Sequence, residues 1–267
     1  MNDRGIWATW YDLPEKGRER HLQWLHGTYI PKILKKPGVL WAAHYANVKI
    51  PPAPRLRHTD DPSVPTGNDY ILFFGAETAH AFTTGAEHYF RNAPSRLEDG
   101  LAAQDKEMLA MRAGERTCVF TEEARADGPE AHRRGGKLTP AVCIQIGSFN
   151  APGCEDELMS WYGDWRIPAL SKLPGCVGIR KLVSAVGWAK HAVLYEFASL
   201  ELRHENMPKL RTIYVEEGQW SDRFVPALLH APQSPVVGSR SDRFVPALLH
   251  APQSPVVGSR LWPPVEG

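Results

Sequence analysis

The chain has 267 residues, 43% hydrophobic and 23% charged, with a formal net charge of +1. Those ordinary globular proportions allow a sizeable core in one large domain or two of usual size, and the charge gives no electrostatic reason to expect nucleic acid or an anionic membrane as partner. No stretch approaches the roughly 20 apolar residues of a membrane span and the N-terminus carries no signal-like apolar run, so a cytoplasmic protein without a membrane partner is expected.

Gly5–Asp12 is rich in aromatic and β-branched residues and stops at Leu13-Pro14, which predicts a first strand. A helix follows over 15–36, because Leu22, Leu25, Tyr29, Ile33 and Leu34 share one face; Pro31 inside it should kink or break it. Pro37-Gly38 ends that helix and 39–48 reads as the second strand. The segment 51–67 holds five prolines and no periodic apolar set, as a lid or binding loop does. Tyr70–Gly75 is the third strand, 77–91 and 97–113 are helical, and Thr117–Thr121 closes the first half.

The order then restarts. After a polar linker, 141–147 reads as a strand, 155–172 as a helix, 176–185 and 191–197 as strands and 200–215 as a helix. The restart is marked by a diverged repeat: Trp24, Ile30, Pro31, Lys35, Pro37 and Gly38 recur at a constant offset of 137 residues as Trp161, Ile167, Pro168, Lys172, Pro174 and Gly175. Three segments follow, an N-terminal domain 1–123, a linker 124–137 and a C-terminal domain 138–267.

A second repeat is of another kind. Residues 221–240 are followed at once by the identical twenty residues 241–260. Only one copy can supply the last strand, and the second, Pro255–Trp262, is expected to do so because it runs on into Leu261-Trp262-Pro263. The extra copy is expected to be harmless or to reshape the pocket mouth.

The strand–helix–strand–strand–helix–strand order in each half predicts an α+β protein of two ferredoxin-like (βαββαβ) units, each an antiparallel sheet with helices on one face, packed sheet to sheet. With the repeated Trp–Pro–Pro-Gly stretch and the Ser254–Pro263 tail, this resembles the dimeric α+β barrel superfamily, closest to EthD-type proteins in a fused two-domain form, an intramolecular barrel. The resemblance implies a fold that hosts cofactor-free monooxygenases, lactone isomerases, polyketide cyclases, aldoxime dehydratases and haem enzymes. EthD-type proteins usually carry a histidine two residues before the helix proline, where this chain has Tyr29 and Arg166.

Among candidate chemical groups, His44 and His191 stand within apolar strands, where an imidazole can exchange protons near neutral pH. Tyr29 and Arg166 occupy equivalent helix positions, and His26 and Asp12 complete the expected acid–base set. Trp10, Trp41, Phe73 and Tyr195, with His230 or its duplicate His250, are expected to line a pocket for a small hydrophobic or aromatic molecule inside the barrel. The four cysteines, Cys118, Cys143, Cys154 and Cys176, show no metal or Cys-x-x-Cys spacing, and nucleotide, serine-hydrolase and zinc-protease motifs are absent. The expectation is a cofactor-independent lyase, isomerase or hydrolase, with a haem protein ligated by His44 or His191, or a non-catalytic carrier, as alternatives; homodimer formation is left open.

Overall fold

The computed structural model describes residues 3–50, 57–83, 101–136, 138–216, 228–230 and 236–239. In chain order these form β1 (Gly5–Asp12), α1 (Arg18–Trp24), a π-helical turn (Leu25–Tyr29), α2 (Ile30–Ile33), β2 (Val39–Asn47), β3 (Arg57–His58), β4 (Tyr70–Ala76), α3 (His80–Thr83), α4 (Ala103–Leu109) and β5 (Ala113–Asp127). The second half adds a short 3-10 turn (Ala131–Arg134), β6 (Cys143–Asn150), α5 (Glu155–Trp161), a second π turn (Tyr162–Arg166), α6 (Ile167–Leu170), β7 (Cys176–Val186), β8 (His191–Phe197), α7 (Leu200–Glu216), β9 (Leu229–His230) and β10 (Val236–Ser239). The remainder of the expected 77–91 helix lies outside the described residues.

Both halves place their strands in one order. In the first, β2-β4-β1-β5 are neighbours; in the second, β7-β8-β6-β10 are. The edges join reciprocally: β5 pairs antiparallel with β7, and β10 with β2, so the two sheets close into one barrel. β5 runs through residues 124–127, so the segment expected to begin the linker is instead a strand holding the halves together, with Arg125 opposite Arg180. Barrel closure removes the unpaired edges a four-stranded sheet would otherwise expose.

The last strand is a correction. Val236–Ser239, in the first copy of the duplicated unit, holds the position expected for Pro255–Trp262; the second copy lies outside the described residues. Identical copies have identical side-chain preferences, so connectivity decides. The link from α7 to the first copy is about half as long as to the second, and each doubling of a loop adds about 0.6 kcal/mol of closure cost.

Strand alternation sorts the side chains into layers. Ile6, Ala8 and Trp10 of β1 point into the barrel with Trp41, Tyr45, Phe73, Phe120, Ile146 and Leu194 from both halves. Trp7 and Tyr11 point the other way, against Leu22, Leu25, Ile30 and Ile33 of the first helix, and the second half builds the matching layer around Leu158, Leu170 and Tyr195. Covered on both faces, β4 and β8 are buried along their whole length, which is why they read as nearly continuous apolar runs.

The repeated stretch shapes the helix exit. Pro31 does not end the helix but stands in the first turn of α2, directly after the π turn, and Pro168 repeats this in α6. A proline has no N–H to give and crowds the carbonyl four residues back, and widening one turn accommodates both. Gly38 and Gly175 each take a φ of 83°, the left-handed conformation that favours glycine and turns the chain into the next strand.

Candidate functional site

The first π turn carries His26 over the sheet. Its Nε2 lies 2.9 Å from His44 Nδ1, and His44 Nε2 lies 2.9 Å from the Tyr11 hydroxyl. β1 supplies Tyr11 and β2 supplies His44, on the helix-facing side of both strands. The rings of Tyr11, His44 and Tyr70 pack as a triangle, with centroids 6.0 Å (Tyr11–His44), 5.4 Å (His44–Tyr70) and 5.6 Å (Tyr11–Tyr70) apart. His44, Tyr11 and the nearby His21 are fully buried.

Burial sets the protonation states. It holds His44 well below the ordinary histidine range, helped by His26 and Arg112, and lowers His26 and His21 to about 4. The Tyr11 phenol is pushed up by burial, while the Arg112 guanidinium, 4.4 Å from its ring centroid, opposes the rise. A neutral imidazole has one N–H and one acceptor nitrogen, so the chain has a single polarity. The His44 tautomer sets its direction, either from Tyr11 O–H through His44 to His26 Nε2 or from His26 Nε2–H through His44 to the Tyr11 oxygen.

Spare polar atoms surround this relay. Arg112 donates through Nη1 to Glu115 at 2.9 Å, yet its Nε and Nη2 are buried without an acceptor. Neutral His21 donates through Nδ1 to the Met108 carbonyl at 2.9 Å, so its buried Nε2 is an acceptor without a donor. Unsatisfied buried donors cost about 1–3 kcal/mol each, so those of Arg112 call for an acceptor from outside the chain. Arg112 also lies 5.8 Å from the Tyr29 ring centroid.

The expected site residues therefore divide among several places. His26, His44 and Tyr29 come together under the first helix. Tyr29 is 2% exposed and packs on Trp24 and Phe74. Asp12 stands apart: its Oδ1 accepts the backbone N–H of Asn68 and Asp69 at 2.7 and 2.8 Å, clamping the loop before β4. Asn150 does the same for Lys190 in the second half, so this is a structural repeat.

Trp10, Trp41 and Phe73 face the barrel interior, away from the histidines. Arg166 stacks over Trp161 and Tyr195 under the second helix. His191 and His230 flank Phe149 in that half, with centroids at 5.9 and 5.3 Å from it, and Lys181, at the position equivalent to His44, ion-pairs with Glu123 at 2.5 Å. His250 lies outside the described residues.

Sequence reasoning missed Tyr11, His21 and Arg112. Tyr11 lay within the aromatic-rich first strand and Arg112 within the expected 97–113 helix, and neither was singled out. The available signal was period two: Tyr11 shares a strand face with Trp7, whereas Trp10 takes the opposite one.

This architecture defines an α+β barrel of the dimeric kind, with both sheets drawn from one polypeptide. Solved structures share it across most of the chain. One described as "Putative Chlorite dismutase" superimposes with a TM-score of 0.53 at 12% identity, covering 90% of this chain and 95% of its own. An anthrone oxidase-like protein gives 0.52 at 11% identity, covering 90% and 91%, and a "Putative monooxygenase" from Fusobacterium nucleatum subsp. nucleatum gives 0.50 at 9%, covering 90% and 94%. At such identities the likeness is one of fold. No family model matches the sequence, and no curated protein does. No described helix is long and apolar enough to cross a membrane.

Proposed function

We propose that the chain is an acid–base enzyme acting on a small aromatic or hydrophobic molecule between the first helix and its sheet. The observation that carries this is the Tyr11–His44–His26 hydrogen-bond chain lying beside the spare N–H groups of Arg112. In this reading Arg112 holds an oxygen of the substrate on which negative charge develops, in a site kept dry by Trp24, Tyr29 and Tyr70. Tyr11, held as the phenol, gives a proton next to that oxygen. His44, in the tautomer with its proton on Nε2, returns one to Tyr11 and takes one at Nδ1 from His26 Nε2–H, and His26 stands at the partly exposed end. The aromatic walls favour a flat apolar ligand. EthD-type kinship is part of this reading, as is whether the reaction is a lyase, isomerase or hydrolase step.

The test is capture of ligand from a mixture of aromatic acids, phenols and lactones, read by native mass spectrometry, followed by turnover of whatever binds. The wild type should bind and convert a compound that Tyr11→Phe and His44→Gln bind without converting. Equal conversion by both variants would sink the acid–base reading, and binding without conversion by the wild type would leave a carrier.

One observation favours a second reading, in haem chemistry. His44 does not fit as an axial ligand, since both of its ring nitrogens are taken. His191 does: its nitrogens are buried without a hydrogen-bond partner, with Glu155 Oε1 3.8 Å from Nε2. Haem, when bound, supplies redox chemistry at iron, and His191 is the residue that would hold it. Haem titration of the wild type and His191→Ala decides this, since a Soret band that survives the substitution removes His191 as the ligand.

A further inference from the structure

Arg116 projects from β5 into the barrel beside Trp10, its cross-strand partner on β1, and is 4% exposed. Its guanidinium carbon lies 4.0 Å from the Trp10 ring centroid. Nη1 donates to Cys118 Sγ at 3.4 Å and Nη2 to Ser148 Oγ at 3.2 Å. The remaining Nε–H and the Trp10 indole N–H are buried without any acceptor. Burial pushes the Cys118 thiol up, so it brings no negative charge. Among the described residues no carboxylate ion-pairs with Arg116, and burying a cation without a counter-ion is strongly unfavourable.

The opposite end of the same barrel shows what is missing. There Arg180 lies over Trp41, with its guanidinium carbon 6.0 Å from the ring centroid. Both residues donate to one carboxylate oxygen, Asp3 Oδ2, Trp41 at 3.0 Å and Arg180 at 3.2 Å, and Glu122 completes the pairing at 2.6 Å from Arg180. Trp10 and Arg116 repeat the arginine and the indole and lack the acid. They lie toward the end of the barrel where β1 and β6 terminate.

We infer that Trp10 and Arg116 form a binding site for a small organic carboxylate, which accepts from the indole N–H and Arg116 Nε as Asp3 accepts from Trp41 and Arg180. Trp10 and Tyr11 are consecutive and point to opposite faces of β1, so this site is separate from the acid–base relay. Ser148, from the second half, makes it a site of the closed barrel rather than of either half alone.

Thermal unfolding at constant ionic strength, with added acetate, benzoate or chloride, tests it. Acetate or benzoate should raise the Tm of the wild type saturably by several degrees, chloride should not, and Arg116→Met should abolish the rise. Without carboxylate, Arg116→Met should unfold at the same or a higher temperature than the wild type, because an unpaired buried charge has gone. Trp10→Phe keeps the ring and removes one donor, so it should weaken the apparent Kd about tenfold, and it carries the test if Arg116→Met does not fold. A rise unchanged in both variants, no rise with any anion, or a rise lost in Arg112→Met instead would overturn the site. Chloride saturating as well as acetate would overturn the carboxylate assignment in favour of an inorganic monoanion.

Discussion

His26 Nε2 and His44 Nδ1 lie 2.9 Å apart, joining a helix turn to a buried strand. The contact depends on the π turn, because the wider turn ending at Pro31 carries residue 26 over the sheet. At the equivalent place the second half has Gly163 and Lys181, and Lys181 pairs with Glu123 instead.

The relay should be measurable as a coupling. Tyr11→Phe and His44→Ala each remove a partner of the same hydrogen bond, so their costs in denaturant unfolding should not add. The double-mutant cycle is expected to return about 0.5–3 kcal/mol; strict additivity would mean that the bond contributes nothing.

Acid should destabilise the fold through its buried histidines. His21 and His230 are held at about 4 by burial, against the ordinary histidine value of 6.5. The unfolded chain therefore binds protons first, and the stability these groups contribute is intact above pH 6.5 and lost as pH falls toward 4. Each accounts for on the order of 3 kcal/mol across that window. Unfolding free energies between pH 7 and 4 should fall with this sign, and His21→Gln should flatten the slope.

Asp12 is expected to act on stability alone. Asp12→Ala frees two backbone N–H groups and should cost about 1–2 kcal/mol, while Asp12→Asn, which keeps the acceptor oxygen, should cost less. Ligand capture by either variant should match the wild type; loss of capture would return Asp12 to the acid–base set.

The duplicated unit can be assigned by glycine. A Cβ on Gly238 would lie 2.8 Å from Tyr45 Cβ and 3.1 Å from Ile144 Cγ1, so Gly238→Val should lower the Tm by several degrees. Gly258→Val makes the same change in the second copy and is expected to leave the Tm alone. The reverse outcome would give the closing strand to the second copy. Removing 221–240 or 241–260 yields one and the same polypeptide, which should retain the closed barrel.

The 137-residue repeat and the alternation of apolar residues determine by themselves the α+β class, the two halves and most strand positions. Those are consequences of local periodicity and of the left-handed turns that Gly38 and Gly175 permit. The sequence also marks His44, a polar residue in an apolar strand, as worth explaining. It does not pair His44 with Tyr11 and His26, nor put Trp10 and Tyr11 on different faces of use, because those relations depend on which layer covers each side of β1. The placement of the first copy at β10 is likewise seen only in the fold, because two identical copies cannot be ranked by side-chain preference. Arg116 is the sharpest case: in the sequence it is one charged residue near a strand end, and only barrel closure buries it beside Trp10 without an acid.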